Sequence, residues 1–295
     1  MKLYAPSYYK KFKCIADKCD HSCCVGWEID VDRDAIGKYK KSNSGYAATV
    51  LSSISMSDTP HFLLGENERC PHLDGNGLCR IILELGEEYL SDICREHPRF
   101  YNYTSVAEVG IGMSCTEAAR VILSSPDYAE MVCVGKSYAL PDENDFDGRA
   151  YREEIYRILQ DRSHVYSDRL DDICAMFSMR KPDDGAILGA IDALEYLDES
   201  HRALFKKYSS ARCPEEYDEY RERLFAYYVY RHCTEASDHE DFLSRLSLCL
   251  FCEHLFASLL RSEEAKSLDE IAILARIISE EIEYSDENTA ALLEL

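Results

Sequence analysis

Apolar positions recur at i, i+3, i+4 and i+7 through most of the second half of the chain. Tyr151, Ile155, Ile158 and Leu159 form one stripe; Leu170, Ile173, Cys174 and Phe177 form a second; Ile187, Ile191, Leu194 and Leu197 form a third. The same spacing runs through residues 217–232, 242–260 and 268–282. A repeat near 3.6 residues places each set on one side of a helix, so the C-terminal half is expected to be an all-α bundle. Helical spacing starts earlier, at residues 80–90, with Ile81, Ile82, Leu85 and Leu90 on one side. Ser114-Cys115-Thr116-Glu117 reads as a capping box opening a helix over 118–124, with Cys115 in its first turn. Residues 1–80 are different: single glycines, cysteines and polar runs alternate with short apolar pieces, which predicts loops and short elements organised around something other than a large apolar core. Two-residue alternation is nearly absent, and only residues 101–111 admit a short hairpin. The acidic, glycine-containing stretch 142–148 is the linker candidate, and no internal repeat is found.

With 295 residues, 46% apolar and 30% charged, the chain has ample material for a buried core and belongs with globular proteins rather than disordered or fibrous ones. The longest apolar stretch, 248–260, is interrupted by Glu253 and His254, so no membrane span is expected. The first residues lack the apolar segment of a secretory signal, which makes the reducing cytosol the expected compartment. Charge is uneven: residues 1–120 carry 14 Lys and Arg against 17 Asp and Glu, and the remainder carries 19 against 38. A net charge of −22 argues against nucleic acid as a partner, because phosphate binding draws on clustered basic side chains; it suits a basic partner or simply an acidic solvated surface.

Cysteine runs opposite to charge. Eight of the fourteen lie between Cys14 and Cys115: Cys14, Cys19, Cys23 and Cys24 within eleven residues, then Cys70, Cys79, Cys94 and Cys115. In a reducing compartment such a set points to metal before disulfides, since thiolates are soft ligands and short spacings let one loop present several sulfurs. Gly26, Gly75 and Gly77 are placed to let the backbone curl around an ion. The adjacent Cys23-Cys24 pair cannot easily aim both sulfurs at one ion, so either one is non-ligating or two sites exist. Structural zinc usually shows Cys-x2-Cys pairs; none occurs among these eight, which favours an iron–sulfur cluster over zinc. His72 and His97 stand close to Cys70 and Cys94 as further candidate ligands or as polar surface residues.

The later cysteines are read as apolar packing: Cys249-x2-Cys252 sits in an apolar helical run without a second pair nearby, and Cys133, Cys174, Cys213 and Cys233 are taken likewise. Lys10, Lys11 and Lys13, beside Tyr8 and Tyr9, form a basic aromatic start expected to be solvated. No Gly-x-Gly-x-x-Gly is present, so the ordinary dinucleotide or methyltransferase loop is excluded.

The run Cys14 to Cys24, then Gly26-Trp27, Cys70-Pro71-x-Leu73 with Gly77-x-Cys79, Cys94-x3-Pro98-Arg99 and Ser114-Cys115-x2-Ala118-Ala119-Arg120 together resemble the flagellin lysine-N-methylase family. The N-terminal part is similar to cysteine-cluster proteins that chelate zinc or iron. The tyrosine-rich stretch Tyr217-x2-Tyr220-x-Glu222-x-Leu224-x2-Tyr227-Tyr228-x-Tyr230-Arg231 also looks like a family segment, so the resemblance spans most of the chain. It implies transfer of methyl groups from S-adenosylmethionine to lysine side chains of a protein, flagellin in the family, with a four-iron four-sulfur cluster in the N-terminal region. Trp27, Arg95 and Arg99 then become candidate cofactor-binding residues, by stacking or by pairing with a carboxylate or cluster sulfides, against the plainer readings of core packing and surface ion pairs.

These readings together predict a mainly α protein: a cysteine-rich metal-binding region, 1–135, packed on an all-α helical domain, 136–295. Two rivals to the enzyme use the same cysteines. One is a non-enzymatic zinc- or iron-chelating module with a helical protein-binding surface, and the other is an iron-delivery or redox protein. A radical mechanism would call for Cys-x3-Cys-x2-Cys, from which Cys14-x4-Cys19-x3-Cys23 departs.

Overall fold

The computed structural model describes residues 1–19, 21–139 and 146–295. Most of the expected linker, residues 142–145, lies outside the described residues. In chain order the elements are β1 (Lys2–Pro6), α1 (Arg33–Lys41), α2 (Gly45–Ser52), β2 (Ile54–Ser55), β3 (His61–Phe62), α3 (Arg80–Leu85), α4 (Asp92–Glu96), β4 (Arg99–Tyr103), β5 (Ala107–Ile111), α5 (Thr116–Leu123) and β6 (Met131–Lys136). Eight helices follow: α6 (Gly148–Leu159), α7 (Tyr166–Met176), α8 (Asp184–Ala193), α9 (Glu199–Phe205), α10 (Asp218–His232), α11 (His239–Ser262), α12 (Leu268–Glu283) and α13 (Asp286–Leu293). The protein is mainly helical, and among the described residues everything after β6 is helix or connection, as the periodicity predicts.

The chain divides into two compact units, Lys13–Arg99 and Met1–Phe12 with Phe100–Leu295. These are not the ranges expected from composition. Residue 135 lies inside β6, which pairs antiparallel with β1 from Lys2↔Lys136 to Pro6↔Met131. Cysteine density and charge report what a segment contains, whereas this pairing ties the first residues of the chain to the larger unit.

The smaller unit has its own apolar core, built from Ile29, Val31, Ala35, Ile36, Tyr39, Val50, Ile54, Phe62, Cys70 and Ile81. The sequence reading of loops without such a core is therefore corrected. Helices α1 and α2 are too short to show a clear repeat, and both are set by their caps: Asp32 accepts from Ala35 N at 2.8 Å, and Ser44 from Tyr46 N at 3.2 Å. The helix expected over 80–90 stops at Leu85 because Gly86 adopts φ +108°.

In the larger unit a four-stranded sheet runs in the order β4-β5-β1-β6, with β1 parallel to β5. The hairpin segment at 101–111 is recovered as β4 and β5, while β1 and β6 were not legible from alternation. Gly110 in β5 is required by close packing, since a Cβ there would meet the Phe100 ring at 2.2 Å and Tyr230 at 2.8 Å. The N-cap of α5 is Cys115 and makes no side-chain cap bond; Glu117 instead pairs with Arg120, so the expected capping box is absent. A capping box does open α12, between Ser267 and Glu270.

Helices α10 and α11 form the centre of this unit, with Tyr227, Tyr228 and Tyr230 fully buried. Helix α11 is long and apolar enough to cross a membrane by length and composition alone, but it is the core helix of this unit, with 72% of its apolar window buried. Buried acids are paired. Glu108 takes a two-pronged bond from Arg152 at 2.7 and 2.8 Å, Glu222 meets Arg162, Arg169 and Tyr128, and Glu283 meets Arg231 at 2.5 Å, His232 at 2.9 Å and Tyr227 at 2.9 Å. Part of the C-terminal acidity is thus internal structure rather than solvated surface.

Candidate metal centre

Backbone pairing gathers four of the eight N-terminal cysteines into one apolar corner of the smaller unit. The Cys70 N–H donates to the Cys24 carbonyl at 2.8 Å, beside a bridge between Val25 and Arg69. Residues 70–79 then fold back on themselves: Leu73 bridges Cys79, and Arg80 N–H donates to the His72 carbonyl at 2.8 Å. Asp74 holds the turn by accepting from the N–H of Asn76 and of Leu78, each at 2.8 Å, and Gly77 supplies φ +78°. Gly26, at φ +94°, turns the chain after Cys24. Cys94 follows from α4. Cys70 is buried in the core, and Cys24, Cys79 and Cys94 pack against it.

The thiols in this corner differ in acidity. A hydrogen bond from Cys23, opposed by burial and aided by Ser22 and the Arg69 guanidinium, brings Cys24 down to about 7. Burial pushes Cys70 up to about 12 and Cys94 to about 11, and raises Cys79 as well. Negative charge on Cys24 adds to the rise at all three, so the four thiols lie within electrostatic reach of one another. Four soft donors in one low-dielectric corner are a chemistry that suits a metal, because a cation would offset the cost of thiolates that burial otherwise keeps protonated. Among the described residues, no three His, Cys, Asp or Glu side chains stand close enough to hold a metal ion as placed.

The other predicted ligands fall elsewhere. Cys14 and Cys23 are exposed, and the half-buried Cys19 donates to the His21 carbonyl at 2.9 Å. Cys115 belongs to the larger unit, half-buried against its core. His72 lies between two hydroxyls, Tyr46 at 2.9 Å and Ser53 at 2.8 Å, and burial lowers it to about 4; it is a neutral core histidine with both nitrogens occupied. Burial likewise lowers His97 to about 4, and its ring centroid is 6.0 Å from that of Trp27.

Trp27 is half-buried against the core of the smaller unit and donates its indole N–H to the Cys23 carbonyl at 2.6 Å. It thereby pins the loop that carries Cys23 and Cys24. Arg95 is exposed on α4 and pairs with Asp92 and, at 3.5 Å, with Glu96; Arg99 reaches back to the Arg95 carbonyl at 3.4 Å. Of the later cysteines, Cys174, Cys213, Cys233, Cys249 and Cys252 are buried as expected, but Cys133 is exposed on β6, an edge strand of the sheet. Sequence spacing missed the role of Arg69 beside Cys24, for which the only signal was its place next to Cys70.

The fold and this corner define a mainly helical protein carrying a small, thiol-rich unit. Comparison with known proteins finds curated relatives that match part of the chain. The chain is 28% identical over 170 residues to the flagellar biosynthetic protein FliU of Salmonella muenchen, covering 55% of this chain and 93% of that protein. It is 28% identical over 130 residues to the lysine-N-methylases of Salmonella typhimurium and Salmonella choleraesuis, covering 41% of this chain. The match spans about a third of the length of each lysine-N-methylase, 32%. The resemblance carried by the cysteine and arginine motifs is thus supported by relatives bearing these names. No protein-family model matches the chain, and no solved structure matches it.

Proposed function

We propose that the protein is a protein-lysine N-methyltransferase that takes its methyl group from S-adenosylmethionine, with flagellin as substrate and an iron–sulfur cluster of the four-iron four-sulfur type as resident cofactor. The observation that carries the reading is the similarity to two lysine-N-methylases, combined with that to FliU. The thiol corner supports the cofactor: Cys24, Cys70, Cys79 and Cys94 are the residues that would hold it, and zinc is the alternative for the same donors. Held by all four thiolates, such a cluster would have no iron open to the methionine moiety, so the methyl donor would be bound and oriented by the chain's own side chains.

The chain's own residues do the rest. The lowered Cys24 thiol provides a thiolate near neutral pH, and Arg69 stabilises its charge. The 70–79 turn, fixed by Asp74, presents Cys70 and Cys79 from one rigid loop. Trp27 closes that corner from the Cys23 side. Methyl transfer needs a neutral amine in line with the donor, so exclusion of water by this apolar corner favours the reactive form of lysine.

Anaerobically purified protein incubated with S-adenosylmethionine and flagellin should yield methylated lysines detectable by peptide mass spectrometry. Metal-loaded protein that leaves every lysine unmodified would instead support the non-enzymatic chelating module.

A further inference from the structure

The larger unit holds a cavity of about 320 Å³ between the start of α7, the 208–213 loop, α10 and α11, remote in sequence from the thiol corner. Its lining includes four acids, Asp184, Glu215, Asp218 and Glu253, against two arginines, Arg212 and Arg221. Glu253 is the anomaly. It is fully buried in the middle of α11, and its Oε2 has no hydrogen-bond donor among the described residues. Arg221 does not serve that oxygen: its Nε and Nη2 both go to Oε1, at 2.8 and 2.7 Å, and its Nη1 goes to Asp218 at 3.0 Å. His254 Nδ1 stands 3.2 Å from Oε2, but lies 2.7 Å from the Leu250 carbonyl, which can only accept, so its hydrogen is spent there. One arginine is therefore shared by two carboxylates, and a buried carboxylate oxygen without a donor is left on a side chain that lines a cavity with more acids than arginines.

We propose that this cavity binds a primary alkylammonium group, with the ammonium donating to Glu253 Oε2. A buried carboxylate oxygen without a donor is costly, and a cationic N–H donor both completes its hydrogen bonding and balances the charge that Arg221 leaves over. The volume matches a small ligand or an inserted side chain. A neutral donor would satisfy the oxygen without answering the charge. The chemistry is shared by a free diamine and by the lysine side chain of a peptide. The inference concerns the helical unit alone and does not rest on the methyltransferase reading, so either can fail without the other.

The test is calorimetric titration of the full-length protein with pentylamine, cadaverine, a lysine-bearing peptide and, as the uncharged control, 1-pentanol. One saturable site for the amines and none for pentanol is expected. Competition of the peptide with pentylamine assigns the site to a lysine side chain, and binding of the free amines without the peptide assigns it to a diamine. Glu253→Gln should weaken amine binding by about tenfold or more, the usual effect of losing a charged partner. Because that position is buried, Ser210→Lys at the exposed mouth provides a second variant that places a competing cation there without touching the core. Absence of saturable amine binding, equal binding of pentanol, or amine binding unchanged in a folded Ser210→Lys protein overturns the proposal.

Discussion

Single side chains carry most of the polar architecture of the larger unit, and Glu283 is the clearest case. Burial pushes its carboxyl up, but Arg231, His232 and Ser279 outweigh that and hold it below the usual carboxylate range. Glu283→Gln should therefore destabilise the protein by about 3 kcal/mol at neutral pH, the cost of breaking a buried pair. A carboxyl depressed on folding stabilises above its unfolded pKa, and that contribution is lost as pH falls through the folded value. The difference between wild type and variant, measured by urea unfolding, should thus be full above about pH 5 and shrink below it. A difference that grows on acidification would contradict the assignment. At this scale the sequence was legible where chemistry is local, as with the cysteines of the corner. It did not reveal that Glu253 and Glu283 are buried and paired, because an acid in a helix reads as solvent-facing until its arginine is located on another helix.

At the scale of elements, two glycines are placed by close approach or by φ, and each makes a distinct prediction. Gly148 opens α6 where a Cβ would meet the Cys233 carbonyl oxygen at 2.4 Å. Gly148→Ala should cost about 1–3 kcal/mol through overpacking, read as a lowered melting temperature with the helical signal intact. A Cβ at Gly77 would make only ordinary contact with the Asp17 backbone at 3.8 Å, but φ is +78° in the turn between Cys70 and Cys79, so Gly77→Ala should cost about 1–2 kcal/mol through backbone strain. If the turn organises the ligands, this variant also retains less metal than wild type, whereas Gly148→Ala retains it all. The long helices of the C-terminal half were legible because their apolar stripes persist over several turns. The strands β1 and β6 were not, since pairing between residues 2–6 and 131–136 is a property of the fold and leaves little trace in either segment. Helices α1 and α2 escaped for a different reason, being defined by caps rather than by period.

On the scale of the whole molecule, composition located the chemistry but not the division of the chain. The cysteine-rich region does coincide with most of the smaller unit, yet Cys115 and the first twelve residues belong to the larger one. The net charge of −22 resides mainly outside the thiol-rich segment and, on the proposed methyltransferase reading, would attract a basic region of a protein substrate. The apparent KM for a protein substrate should accordingly rise with salt between low and physiological ionic strength, while kcat stays level. A KM that is flat over that range would assign the acidity to internal pairing alone.

The claim on which the account turns is that four thiols, rather than all eight, form the metal centre. Iron, zinc and acid-labile sulfide should be measured per chain in anaerobically purified wild type and in single Cys→Ser variants at positions 14, 19, 23, 24, 70, 79, 94 and 115. Wild type should hold about four irons and four sulfides per chain. Most of that content should be lost on substitution of Cys24, Cys70, Cys79 or Cys94 and retained on substitution of Cys14, Cys19, Cys23 or Cys115. Full metal content in the first four variants, or loss confined to the second four, would contradict it.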